Sequence, residues 1–150
     1  MNIISSILDG LDNAGNLVPE LDQLLSRLEF WVSIFLMIGP LCMLFLGIFY
    51  LFLSPKEANH HIGYRTYFGM GSVDAWRQTQ KIAGILYGSV GLVLTVIMGI
   101  ICLTLGSKDG LQLGATALVC VLIQAIVALL VYLTIFAYTA IVFDKDGNRR

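Results

Sequence analysis

Charge is scarce in this chain. Only 13% of its 150 residues are Asp, Glu, Lys or Arg, and the net charge is −1. That balance gives no footing for nucleic-acid binding or a polybasic membrane anchor. Cysteine is sparse too. Cys42, Cys102 and Cys120 lie one apiece in separate apolar stretches, without the paired spacing of a zinc site or of a disulfide framework. Nucleophile–base pairs, phosphate-binding glycine loops and zinc signatures are missing, so neither catalytic, cofactor nor metal residues are assigned and no enzymatic activity is expected. The opening residues, MNIISSILDGLDNAG, have no basic side chain and soon turn acidic, unlike the start of a cleavable signal peptide. The first apolar segment is therefore expected to act as its own targeting signal.

What the chain has in abundance is apolar sequence: 57% hydrophobic residues and a mean hydropathy of +0.83. These residues gather into long runs without charge. Residues 30–53 and 82–105 hold 24 residues each, and 113–143 holds 31, interrupted by Gln124 and a few Thr and Tyr. About 20 residues suffice for a helix to cross the hydrocarbon core. Spanning strands would be shorter and would alternate between apolar and polar faces. The fold class expected is all-α integral membrane, with three transmembrane helices at 30–53, 82–105 and 113–143. A helix over 113–143 would be about 46 Å long, so it must tilt or project beyond the bilayer. Pro40, following Gly39, is expected to kink the first span.

The short link 106–112, GSKDGLQ, makes spans two and three antiparallel neighbours. The loop 54–81 is much longer, and its Tyr64, Tyr67, Phe68 and Trp76 make it too aromatic for disorder. Seven of the nine Lys and Arg residues fall in this loop and the C-terminal tail, against Arg27 and Lys108 on the other side. The positive-inside bias then places the N-terminus outside and the C-terminus in the cytoplasm. Residues 1–29 are read as an acidic, amphipathic extracellular segment. Two short helices, separated by a turn at Asn13–Asn16, are expected to lie on the outer surface.

Within the loop, Pro55 ends the first span, Gly63, Gly69 and Gly71 give backbone freedom, and Ser72 is placed to cap a helix carrying Asp74 in its first turn. Tyr64, Tyr67 and Trp76 suit the membrane–water interface. Arg65 could stack on Trp76, hold Asp74 or Glu57, or meet a lipid phosphate. His60 and His61 are adjacent on one loop and lack a third ligand, so no metal site is assigned. On span two, Gly84, Gly88 and Gly91 form a small-residue face for close helix packing, and Gln124 on span three is expected to bond to a neighbouring helix. With no ionisable group inside the spans, a proton-coupled transporter is disfavoured.

The pattern Pro55-x-x-x-Asn59-x-x-Ile62-Gly63-Tyr64-Arg65-Thr66, continued by Met70, Ser72, Trp76 and Gly84, resembles the signature of the SdpI family of bacterial membrane proteins. Tyr67, Gly69 and Gln80 depart from that pattern, which usually has proline, serine and asparagine at these places. The resemblance implies an all-helical membrane domain over residues 30–150, a bacterial plasma-membrane location and no catalysis. It also implies immunity against a secreted toxic peptide met outside, and binding of a cytoplasmic repressor. Asn59, Gly63, Tyr64, Arg65, Thr66 and Trp76 are then the expected signature and partner-binding residues. The rival expectation is an accessory or structural subunit of a larger membrane complex.

Overall fold

A computed structural model describes the backbone of residues 3–58, 61–107 and 110–150. It describes side chains from Asp22 onward within those stretches, Ser107 excepted. The chain is helical almost throughout: α1 spans Ile3–Phe52, α2 spans Val73–Leu103, and α3 spans Gly110–Val142. A single 3-10 turn, Leu105–Ser107, lies on the link between α2 and α3. All three helices are long and apolar enough to cross a membrane, α1 through its portion Asp22–Phe52. The described residues carry one isolated bridge, Phe143 to Arg149, and no extended strand.

The helices are longer than the charge-free runs. α1 is unbroken from Ile3, so the turn expected at Asn13–Asn16 is not formed. The side chains of that region lie outside the described residues, as does Asn59. A long helix that can propagate one bond per residue is not stopped by two asparagines and a glycine, each costing under about 1 kcal/mol. Similarly, α2 starts nine residues before its apolar run. Ser72, extended at φ −148°, accepts a bond from the Ala75 amide, and Asp74 sits in the positive first turn.

Burial inverts the pattern of a water-soluble protein. In the most apolar windows of α2 and α3 only 17% of residues are buried, and Phe52, Leu103 and Leu111 are among many large exposed apolar side chains. An apolar surface this extensive is stable in hydrocarbon, not in water.

Without a hydrophobic drive between helices in lipid, close packing must hold them, and α1 and α2 form the tightest pair. A Cβ on Gly47 would run into the backbone of Gly88, one on Gly84 into Leu51, and one on Gly91 into Leu44. Near the other end, the Cys102 thiol lies 3.8 Å from the Ser33 carbonyl. These pairings climb α1 as they descend α2, so the two helices are antiparallel. The small residues let their backbones nearly touch.

α3 joins through Gln124. Proline has no N–H, so Pro40 leaves the Leu36 carbonyl without its usual partner four residues on. The Gln124 Nε2 donates to that carbonyl at 3.0 Å, and Gly39 clears the space for the amide, since a Cβ there would strike Gln124 Oε1. The helix runs through Gly39–Pro40 without interruption because its neighbour satisfies the freed oxygen. Gln124→Leu should therefore cost about 1–2 kcal/mol. In a Pro40→Ala background, Ala restores the intrahelical N–H and the same change should cost about half as much or less. Equal costs in both backgrounds, in a double-mutant cycle of reversible detergent unfolding, would refute this pairing.

Candidate functional site

The segment between α1 and α2 folds inward, and its geometry is set by four side chains. Gln80, one turn past Trp76 on α2 and 3% exposed, offers a flat amide to the loop backbone. Its Oε1 accepts from the Tyr64 amide at 2.9 Å and its Nε2 donates to the Tyr64 carbonyl at 2.7 Å, much as a neighbouring strand would. Both backbone groups of a buried residue are thereby satisfied.

Trp76 closes the loop from the same helix face. It is fully buried, and its indole N–H donates to the Pro55 carbonyl at 2.8 Å, tying the loop's start to α2. Gly63, at φ +116°, passes across the indole ring. A Cβ there would lie 2.5 Å from Cζ2, so both backbone angle and space require glycine. Thr66, 6% exposed, accepts from the Gly69 amide at 3.0 Å, and a Cβ on Gly69 would collide with Thr66 and Thr79.

These bonds drive the Tyr64 ring into the bundle. It packs against Tyr50 of α1 at 5.7 Å, Tyr87 of α2 at 5.9 Å and Tyr132 of α3 at 6.4 Å between ring centres, in edge and tilted arrangements. One loop side chain thus touches all three helices. Its hydroxyl is buried without a hydrogen-bond partner among the described residues. Burial, assisted by the Tyr87 phenol, pushes the Tyr64 phenol well above the usual tyrosine range.

Tyr64 and Trp76, expected to suit the membrane–water interface, are both buried within the protein, where Gln80 satisfies the Tyr64 backbone and the Pro55 carbonyl satisfies the Trp76 indole. Tyr67, by contrast, is 67% exposed. Arg65 also faces outward and lines a shallow cavity with Thr66, Tyr67, Met70, Gly71 and Lys145. Of the proposed partner-contacting residues, then, Gly63, Tyr64, Thr66 and Trp76 are used internally, and Arg65 presents its side chain outside. Gly84, Gly88 and Gly91 line the contact with α1, and Gln124 the contact of α3 with α1.

The tail completes this end. Residues 143–149 fold back, with the Asp144 amide donating to the Asn148 carbonyl, and Gly147 at φ +76° makes the turn. Backbone N–H groups of Asn148 and Asp146 hold the Asp144 carboxyl below the usual range. The Ser72 hydroxyl that caps α2 also donates to the Gly147 carbonyl at 2.7 Å, and Gly71 lies against the backbone of Asp146 and Gly147. Sequence reading missed this docking, together with Gly47, the Gln80 clamp and the cluster Tyr50, Tyr87 and Tyr132. The turn residues Asp144, Asp146, Gly147 and Asn148 were the available signal for the docked tail.

A family model for the SdpI/YfhL protein family matches residues 56–137. The chain belongs to that family. The match takes in the inserted loop, all of α2 and α3 as far as Ala137, and leaves out α1. No individual curated protein and no solved structure matches the chain. This SdpI-family chain is a membrane protein, and Gly63, Tyr64, Trp76, Gln80, Tyr87 and Tyr132 fall inside the matched segment, whereas Tyr50 and Pro55 precede it.

Proposed function

We propose that this SdpI-family protein is a non-enzymatic immunity protein of a bacterial plasma membrane that protects its cell from a secreted toxic peptide. The carrying observation is the family match over a loop whose Tyr64 touches every helix. A peptide that shifts the helices at one end of the bundle would move Tyr64, and with it the exposed Arg65 and Tyr67, at the other. That coupling supports the second part of the reading, a cytoplasmic repressor that binds the Arg65–Tyr67 face when the bundle is altered. The distribution of Lys and Arg supports the orientation this needs, with the N-terminus outside and the loop and tail inside.

An apolar groove of about 760 Å³ lies between residues 28–38 of α1 and the first half of α3, lined by Trp31, Phe35, Ala117 and Leu118 among others. It is at the end opposite the loop, where an apolar toxic peptide would arrive in this orientation. The test is expression in a toxin-sensitive strain, beside a variant with Ala117→Phe to fill the groove. Wild type should restore growth and the filled variant should not. Unchanged killing with wild type across candidate peptides would defeat the immunity reading. A cysteine introduced at Lys56 should resist an impermeant thiol reagent in intact cells; labelling would reverse the orientation. An accessory subunit of a larger complex is the alternative, and co-extraction of a stable heteromeric assembly in mild detergent would favour it.

A further inference from the structure

On the loop side, a second cavity of about 510 Å³ opens between the end of α1 and the start of α2. Its walls are Tyr50, Leu51, Ser54, Pro55, Lys56, Arg77, Gln80 and Lys81. Lys56, Arg77 and Lys81 all line the space, and no carboxylate does among the described residues. Arg77 and Lys81 are one helical turn apart on α2, a spacing at which like charges repel, and Lys56 approaches from the loop. The Arg77 Nε donates to the Lys56 carbonyl at 3.2 Å, which holds the guanidinium against the loop backbone at Lys56. Two other polar side chains are already engaged: the Gln80 amide clamps Tyr64, and the Ser54 hydroxyl donates to the Tyr50 carbonyl at 3.0 Å. What the walls offer a ligand is mainly positive charge and N–H donors, with the Tyr50 ring and Leu51 forming an apolar side continuous with the membrane span.

We infer that this cavity binds a phosphate group, held by Lys56, Arg77 and Lys81. An ammonium and a guanidinium both suit phosphate oxygens, and a basic pocket between helix ends at a membrane surface is a setting where anionic headgroups are held. The apolar wall favours a phosphate carried on a lipid, whose acyl chains would run along Leu51. The same chemistry would also take a free phosphate from solution. This site is independent of the toxin reading, because neither the groove at the opposite end nor the Arg65–Tyr67 face contributes to it.

The test uses the purified full chain in phosphatidylcholine mixed micelles. Bound lipid is counted by native mass spectrometry and the thermal midpoint is followed as phosphatidylglycerol, phosphatidic acid or inorganic phosphate is added. Lys56→Gln combined with Lys81→Gln removes two cations from exposed positions. Arg149→Gln with Arg150→Gln removes two from the tail as a control. The anionic lipids should bind wild type and the tail control at least tenfold more tightly than the cavity variant, and salt should weaken that binding. If inorganic phosphate alone raises the midpoint with the same residue dependence, the site is a phosphate site supplied from solution. Equal retention of anionic lipid and phosphate by wild type and the cavity variant would overturn the proposal, as would equal losses in the cavity variant and the tail control.

Discussion

Replacing Tyr64 with alanine should destabilise the protein by roughly 2–3 kcal/mol, while Tyr64→Phe should leave stability unchanged or raise it. Removing the ring leaves a void of roughly 100 Å³ between three helices, and an unfilled cavity costs about 24 cal/mol per Å³. Lipid cannot restore the lost contacts, because Tyr64 is enclosed by Tyr50, Tyr87 and Tyr132. The hydroxyl argues in the other direction. It is buried and meets no partner of good hydrogen-bond geometry among the described residues, with the Tyr87 phenol beside it, so its desolvation cost outweighs what that contact returns. Reversible unfolding in mixed detergent micelles reads both variants. A phenylalanine variant as unstable as the alanine variant would mean that the hydroxyl has a partner essential to the fold. A phenylalanine variant that is stable but no longer protects cells would assign the hydroxyl to function.

Gly47→Ala should cost about 1–3 kcal/mol, the range for overpacking a close contact, whereas Gly88→Ala should cost little. The two glycines face each other, but not symmetrically. A Cβ on Gly47 points into the Gly88 backbone, which cannot swing aside. A Cβ on Gly88 meets Gly47 only at 3.8 Å, an ordinary contact. Alanine is also the better helix former by about 1 kcal/mol, which further offsets the change at Gly88. Larger residues at Gly47 must separate α1 from α2 and should abolish the folded state. Matching losses at the two positions would show that the helices do not meet in this register.

Much of this architecture is visible in the residues themselves. Runs of 24 and more uncharged residues leave no alternative to membrane helices, and Ser72 followed by Asp74 marks where α2 begins. The family signature is equally legible, since Gly63, Tyr64, Arg65 and Thr66 stand together. Their roles are less so. An aromatic loop residue beside an arginine has the composition of an interfacial anchor, and only the amide of Gln80, sixteen positions away, turns Tyr64 inward. Gln80 is a departure from the signature, yet its amide makes both bonds to the loop. Gly47 gave no signal because a lone glycine in an apolar run has meaning only beside its partner. Pro40 and Gln124 are 84 residues apart, and their link depends on an oxygen belonging to neither, that of Leu36. The turn residues at 13–16 do not end α1, because an established helix propagates through them.

The signature loop is part of the helix bundle and not a surface appendage. Accessibility to a water-soluble maleimide tests this most directly. Single cysteines are placed at Tyr64 and at Tyr67 in a chain whose Cys42, Cys102 and Cys120 are replaced by alanine, and labelling is followed in the purified native protein. Cysteine at position 67 should react at once, and cysteine at position 64 only after denaturation. Comparable native labelling at both positions would contradict the insertion of Tyr64 among the three helices.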